Sequence, residues 1–207
     1  MKKAAFTLIE VVITIALLSI IAYIFIPKTT TNTLDMATDR LVLYLKQTRF
    51  QSFIKDNYSL DDTLWHKKRW TLKFFRCRKS VGGLYYVIYS DKNRTGHPSA
   101  EESLKDPLTQ KPIFSTNSCE EKSNYNKYVL LTKEYGIKSV ELSCNSTTSL
   151  GQLSFSNNGK VYSKLSSREN GFNEYEIKTP CIIRITHNNG AYKEIVVESK
   201  TGYIYKR

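Results

Sequence analysis

The chain has 207 residues, 41% of them hydrophobic and 12% aromatic with 14 tyrosines, a composition that excludes a disordered chain. Its formal charge of +12 favours acidic partners: nucleic acid, anionic lipid headgroups or the acidic face of another subunit. Setting aside an N-terminal anchor leaves about 180 residues, enough for one core and too few for two comfortable domains.

Lys2 and Lys3 precede an apolar run from Phe6 to Ile26 in which Glu10 is the one charged residue. As a helix this run of about 21 residues would be about 31 Å long, enough to cross a hydrocarbon core. The two lysines, with no acid beside them, predict a cytoplasmic N-terminus and export of the rest. A secretory signal peptide would have a core of about 7–15 residues and then a small-x-small cleavage site. The run is longer, and Tyr23-Ile24-Phe25-Ile26-Pro27 offers no such site. A plain single-pass anchor accounts for the length and leaves Glu10 unexplained. A carboxylate near the start of a membrane helix costs on the order of 2.5–3.5 kcal/mol on insertion scales, so it asks for a functional partner.

Thr29 to Thr33 form a polar break, with Thr33 a candidate cap. From Leu34 the positions Leu34, Ala37, Leu41, Leu45 and Thr48 recur at helical steps, widened by Val42, Arg49, Phe50, Phe53 and Ile54. The spacing predicts an amphipathic helix to about Asp56, continuing the first after a kink. Asn57 to His66 is a connector. Trp70–Phe75 and Leu84–Tyr89 read as strands joined across Gly82-Gly83, the second apolar on both faces and therefore central. Asp91 to Ser123, with Pro98, Pro107 and Pro112, reads as a long surface insertion tied down at Cys119. Tyr128–Leu131 and Val140–Leu142 are short strand candidates. Three turns then separate strand pairs: Asn157-Asn158-Gly159, Asn188-Asn189-Gly190 and Thr201-Gly202.

Four cysteines, Cys77, Cys119, Cys144 and Cys181, follow the anchor. On the exported side they predict two disulfides, with three pairings open. Their spacing fits no zinc site. Catalysis needs convergent groups, and none is visible. The three histidines, His66, His97 and His187, stand in a connector, a proline loop and a turn, without carboxylates at ligand spacing. Asp91-Lys92-Asn93 lacks the later acids of a calcium loop and reads as a turn. No cofactor and no metal are expected. The basic run Lys67, Lys68, Arg69, Lys73, Arg76, Arg78 and Lys79 interleaves with Trp65, Trp70, Phe74 and Phe75, and no acid lies between Asp62 and Asp91. Lysines and arginines neutralise phosphates and aromatic rings stack on bases, so this is a candidate nucleic-acid surface. Strand alternation offers the other reading, aromatics in a core and cations on a solvated face. Lys200, Lys206 and Arg207 form a second basic group.

The string Ala5-Phe6-Thr7-Leu8-Ile9-Glu10 resembles the class III signal of type IV prepilins and type II secretion pseudopilins. The resemblance implies cleavage between Ala5 and Phe6 by a membrane-embedded prepilin peptidase and N-methylation of Phe6. Ala5 stands where the family usually has Gly. It also implies pairing of Glu10 with the Phe6 amine of a neighbouring subunit, and a helix-kinking role for Pro27. Removing residues 1–5 takes the formal charge from +12 to +10. The stalk from Leu41 to Ile54 and the string from Cys181 to Tyr205 are similar to GspH/FimT-type minor pseudopilins. Some relatives serving natural transformation bind DNA through an arginine-bearing motif after the C-terminal Gly. The matching positions here are Gly202-Tyr203-Ile204-Tyr205-Lys206-Arg207, with tyrosine in place of the first arginine.

The expected architecture is α+β and pilin-like, a long N-terminal helix packed on a C-terminal antiparallel sheet. Its parts are a leader (1–5), a transmembrane and assembly helix (6–27), an amphipathic stalk (28–56) and a periplasmic β-rich domain (57–207). The expected function is that of a minor subunit of a type II secretion or type IV pilus-like filament, or alternatively a DNA-binding minor pilin for uptake. Expected partners are other pilins, the prepilin peptidase, the inner-membrane assembly platform and, for the alternative, DNA. The expected location is the bacterial inner membrane, single-pass with the C-terminal domain periplasmic, and the pseudopilus or pilus after assembly.

Overall fold

A computed structural model describes residues 7–25, 32–55, 57–145 and 147–207. The chain divides into two units, Met1–Thr31 and Asn32–Arg207, each described here by itself.

The first unit contains α1, Leu8–Phe25, an unbroken run of apolar side chains apart from Glu10 in its first turn and the hydroxyls of Thr14, Ser19 and Tyr23. The Thr14 and Ser19 hydroxyls donate to the carbonyls of Val11 (2.9 Å) and Ile15 (2.8 Å), so both are satisfied inside the helix. With 18 residues, α1 is about 27 Å long, just under a hydrocarbon core of about 30 Å. Among the described residues no helix is long and apolar enough to cross a membrane. The apolar run in the sequence extends past α1 at both ends. Ala5, Phe6 and Pro27 lie outside the described residues, as does the polar break at 29–31.

The second unit begins with α2, Thr33–Ile54. Its cap is Asn32, one residue before the expected Thr33: the side-chain Oδ1 of Asn32 accepts from the Leu34 amide at 3.2 Å. The predicted stripe Leu34, Ala37, Leu41, Val42, Leu45 and Thr48 is buried. Phe50, Phe53 and Ile54 are not part of it; they are 58%, 42% and 55% exposed. Tyr44, Thr38 and Ser52 are buried in their stead.

Eight strands follow: β1 Trp70–Arg76, β2 Leu84–Tyr89, β3 Ile137–Leu142, β4 Gln152–Phe155, β5 Val161–Tyr162, β6 Cys181–His187, β7 Tyr192–Val197 and β8 Ile204–Lys206. They form two antiparallel sheets, in the orders β2-β1-β4-β5 and β3-β6-β7-β8. Helix α2 packs on both, so the architecture is α+β with a helix on antiparallel sheet, as expected, though the strands divide into two sheets. The core between them holds Leu41, Leu45, Leu72, Phe74, Leu153, Phe155, Ile183, Ile195 and Val197. Leu45 is fully buried there. Leu45→Ala should cost about 2–5 kcal/mol and Phe50→Ala less than about 0.5 kcal/mol, because only the first opens a cavity. Thermal melts of the two variants check this; equal losses would contradict the assignment of faces.

Strand β2 lies at the edge of its sheet, not at its centre. All six residues are nevertheless buried. The reason is that the insertion lies along the edge: the Leu104 amide donates to the Ile88 carbonyl (2.8 Å) and the Ile88 amide to the Ile113 carbonyl (3.1 Å). The segment expected to be a surface loop thus closes an exposed strand edge, with Leu104, Ile113, Phe114 and Cys119 buried. Tyr128–Leu131 is helical rather than strand: a 3-10 turn over Lys127–Val129 leads into α3, Leu131–Tyr135, stopped by Gly136 in the left-handed region.

The disulfides are Cys77–Cys119 and Cys144–Cys181. The first ties the end of β1 to the insertion, the second the end of β3 to the start of β6. The turns at Gly159 and Gly202 meet back to back: a Cβ on Gly202 would lie 3.1 Å from the Gly159 carbonyl oxygen and 3.2 Å from the Phe155 ring. Gly202 also has φ +62°, so both space and conformation favour glycine. The Arg49 Nε donates to the Thr201 carbonyl (2.8 Å), fixing α2 to the same junction.

Candidate functional site

The apolar surface of α1 and the carboxylate at its start are the features the core of the second unit does not explain. Every residue from Thr7 to Ile21 is exposed in the single chain, including Leu8 at 85% and Leu18 at 64%. An apolar surface this continuous belongs in lipid or against other chains. Thr7 and Glu10 form a reciprocal cap at the first turn. The Thr7 amide and hydroxyl each donate to Glu10 Oε2 at 2.9 Å, while the Glu10 amide donates to the Thr7 hydroxyl at 3.4 Å. The carboxylate is therefore held at the helix N-terminus, where the backbone dipole also favours negative charge. Thr7 was not singled out in the sequence, although its Thr-x-x-Glu spacing is a capping signature.

The basic run is split by β1. Lys67, Lys68 and Arg69 precede the strand and Arg76, Arg78 and Lys79 lie at and beyond its far end, about 20 Å away at strand rise. Arg69 is buried, its guanidinium 3.8 Å from the Tyr162 ring centre and 5.0 Å from that of Trp65, with Nη1 donating to the Phe172 carbonyl at 2.8 Å. Lys68 pairs with Asp62 at 2.7 Å, and Arg94 pairs with the same carboxylate. Lys67 is half-buried, as is Lys73, whose ammonium burial pushes below the usual lysine range. Arg76, Arg78 and Lys79 are exposed and make no ion pair among the described residues. Of the interleaved aromatics, Trp70 and Phe74 are core and Phe75 stacks on Tyr85, 5.3 Å between centres. At the C-terminus Lys206 reaches Asp39 on α2 at 2.6 Å, while Arg207 is exposed.

His66 belongs to the interior, although it stands at the end of a connector in the sequence. It is fully buried, with Nε2 3.1 Å from the Ser166 carbonyl, and burial pushes its pKa down. His97 is exposed, and His187 Nε2 lies 3.3 Å from the Thr33 hydroxyl. The Asp91 turn folds on itself: the Gly96 amide donates to Asp91 Oδ2 (2.9 Å) and the Thr95 amide to Asn93 Oδ1 (3.0 Å). Among the described residues no three His, Cys, Asp or Glu side chains gather where they could hold a metal ion.

Residues 1–22 match the family described as the Prokaryotic N-terminal methylation motif. This prepilin-type motif supports the class of type IV pilins and pseudopilins, membrane-anchored subunits that are substrates of a prepilin peptidase, and it points to a structural role rather than an enzymatic one. No curated protein and no solved structure matches the chain.

Proposed function

We propose that the chain is a minor pseudopilin or minor pilin of the GspH/FimT type, a subunit of a type II secretion or type IV pilus-like filament. The observation that carries this reading is an exposed, wholly apolar helix with one capped carboxylate, Glu10, at its start, inside a prepilin-type motif. The peptidase hydrolyses the bond between Ala5 and Phe6, freeing the Phe6 amine, and in a separate step that amine takes a methyl group from an electrophilic methyl donor. Before assembly the apolar run from Phe6 to Ile26 spans the inner membrane, with Thr7 sharing the cost of the Glu10 charge. In the filament the Phe6 amine of a neighbour approaches that carboxylate. Each charge is expensive in lipid by itself, and the pair cancels both while fixing the register of adjacent helices. Pro27 ends the run, and the domain beyond it lies in the periplasm. The two disulfides support that side, since such bonds persist in oxidising compartments.

The orientation has a direct test. Protease added to spheroplasts should digest the domain spanning residues 32–207, whereas in intact cells it should be protected. Protection in spheroplasts as well would place the domain in the cytoplasm and end this reading.

A second reading, contact with DNA during uptake, is favoured by Arg76, Arg78 and Lys79 at the end of β1, exposed cations without an ion pair among the described residues. On that reading the full chain in nonionic detergent binds duplex DNA with an affinity falling steeply as salt rises, with a logarithmic slope of about −0.9 per phosphate contacted. Absence of binding at low salt would remove it.

A further inference from the structure

We propose that the cavity between the insertion and the segment leading into α3 binds a small sugar bearing one anionic group, a carboxylate or a phosphate ester. The cavity measures about 410 Å³, within the range of small-molecule sites, and lies on a part of the molecule that the assembly reading does not use.

Tyr125 and Tyr128 line it, and each ring has a partner that holds it. Tyr125 meets Phe114 edge to face, 5.1 Å between centres. Tyr128 has the Arg40 guanidinium 3.9 Å from its ring centre. Between them, buried Asn126 holds the backbone: its carbonyl oxygen accepts from the Tyr128 amide (3.0 Å) and its amide donates to Tyr44 Oη (2.8 Å) and Asp106 Oδ2 (2.9 Å). Both rings are therefore held before a ligand arrives, which lowers the entropic cost of laying a sugar ring against either of them.

The rim is cationic. Lys111, Lys122 and Lys127 line the cavity with a single acid, Glu121. Glu121 is engaged by Lys133 at 3.0 Å, and Lys127 by Glu134 at 3.5 Å. Lys111 and Lys122 make no ion pair among the described residues, so two lysines without a carboxylate partner line the same hollow, Lys122 with its ammonium 5.6 Å from the Tyr125 ring centre. Lysine is a suitable point-charge partner for a phosphate or carboxylate on a small ligand. A nucleic-acid strand would need a longer cationic track than two lysines supply. An acidic peptide has charge but no sugar ring to lay against a tyrosine.

The test is titration calorimetry on the full chain in nonionic detergent, with glucuronate, glucose 6-phosphate, glucose, inorganic phosphate and a short glutamate oligomer as probes. Binding of glucuronate or glucose 6-phosphate, without binding of glucose, supports the site, and whichever binds identifies the anion. In the double variant Lys111→Gln/Lys122→Gln the affinity should fall about tenfold or more; both lysines are exposed, so the fold is kept. No binding by either anionic sugar, or unchanged affinity in the variant, overturns the proposal. So does equal binding of inorganic phosphate (an adventitious ion only), or tighter binding of the glutamate oligomer, which would mark a protein-contact surface.

Discussion

The full-length chain carrying Glu10→Val should enter the inner membrane at least as well as the native chain and fail to enter filaments. The two effects have opposite signs because the carboxylate has opposite roles in the two settings. In the bilayer it costs on the order of 2.5–3.5 kcal/mol before its contacts with Thr7 are counted, so valine makes insertion easier. In the filament its absence leaves the Phe6 amine of the neighbour unpaired in an apolar bundle, which is the expensive half of a broken buried pair, about 3–5 kcal/mol. At about 1.4 kcal/mol per tenfold, incorporation measured in sheared filaments should fall at least a hundredfold. Normal incorporation of the valine variant would remove Glu10 from the assembly mechanism. Glu10→Asp keeps the charge on a shorter arm and should retain part of the activity.

Loss of the disulfides should be the largest stability effect in the second unit. The bridges close loops of 42 and 37 residues, and on the chain-entropy model each constrains the unfolded state by about 4 kcal/mol. A domain of this size has a total stability of about 5–15 kcal/mol, so removing both takes away about half of it or more. Cys77→Ser/Cys119→Ser should lower Tm by on the order of 10 °C, and reduction of the native chain should lower it further. The first bridge has a second consequence: it anchors the insertion that covers the edge of β2. Its removal should expose that edge and promote association between chains. An unchanged Tm after full reduction would show that the packing of α2 and the two sheets carries the fold alone.

The stripe on α2 was legible because helical periodicity is a direct signature of one buried face. It was overextended at Phe50, Phe53 and Ile54, where residue type says apolar but the side chains lie on the exposed face; in the last turns it is Ser52 that is buried, its hydroxyl 3.2 Å from the Ser156 carbonyl. Thr38 and Thr48 are buried, although polar, because their hydroxyls donate to the carbonyls of Leu34 and Tyr44 at 2.7 Å each, four residues back. The two-sided apolar character of β2 announced burial correctly and its place in the sheet wrongly. Composition records that both faces are covered, not whether a strand or an irregular segment does the covering. The segment from Leu104 to Ile113 has no periodicity to read, since its hydrogen bonds to β2 are few and irregular.

Tyr128 to Leu131 is too short for helix and strand periods to be told apart, and the useful signal was Gly136, a left-handed stop just beyond. At the sites, the charge of the basic run was legible, but the stacking of Arg69 between Trp65 and Tyr162 was not. The contact with Tyr162 joins the residue just before β1 to β5 across a sequence separation no local pattern records. Glu10 stood out because it is alone among apolar residues, and its cap by Thr7 was readable from their spacing.

The most direct test is the N-terminus of the protein purified from bacterial membranes, determined by intact mass and N-terminal sequencing. The account predicts a chain beginning at Phe6 with a methylated amine. A chain still beginning at Met1 would leave Glu10 without the amine that assembly requires and would contradict it.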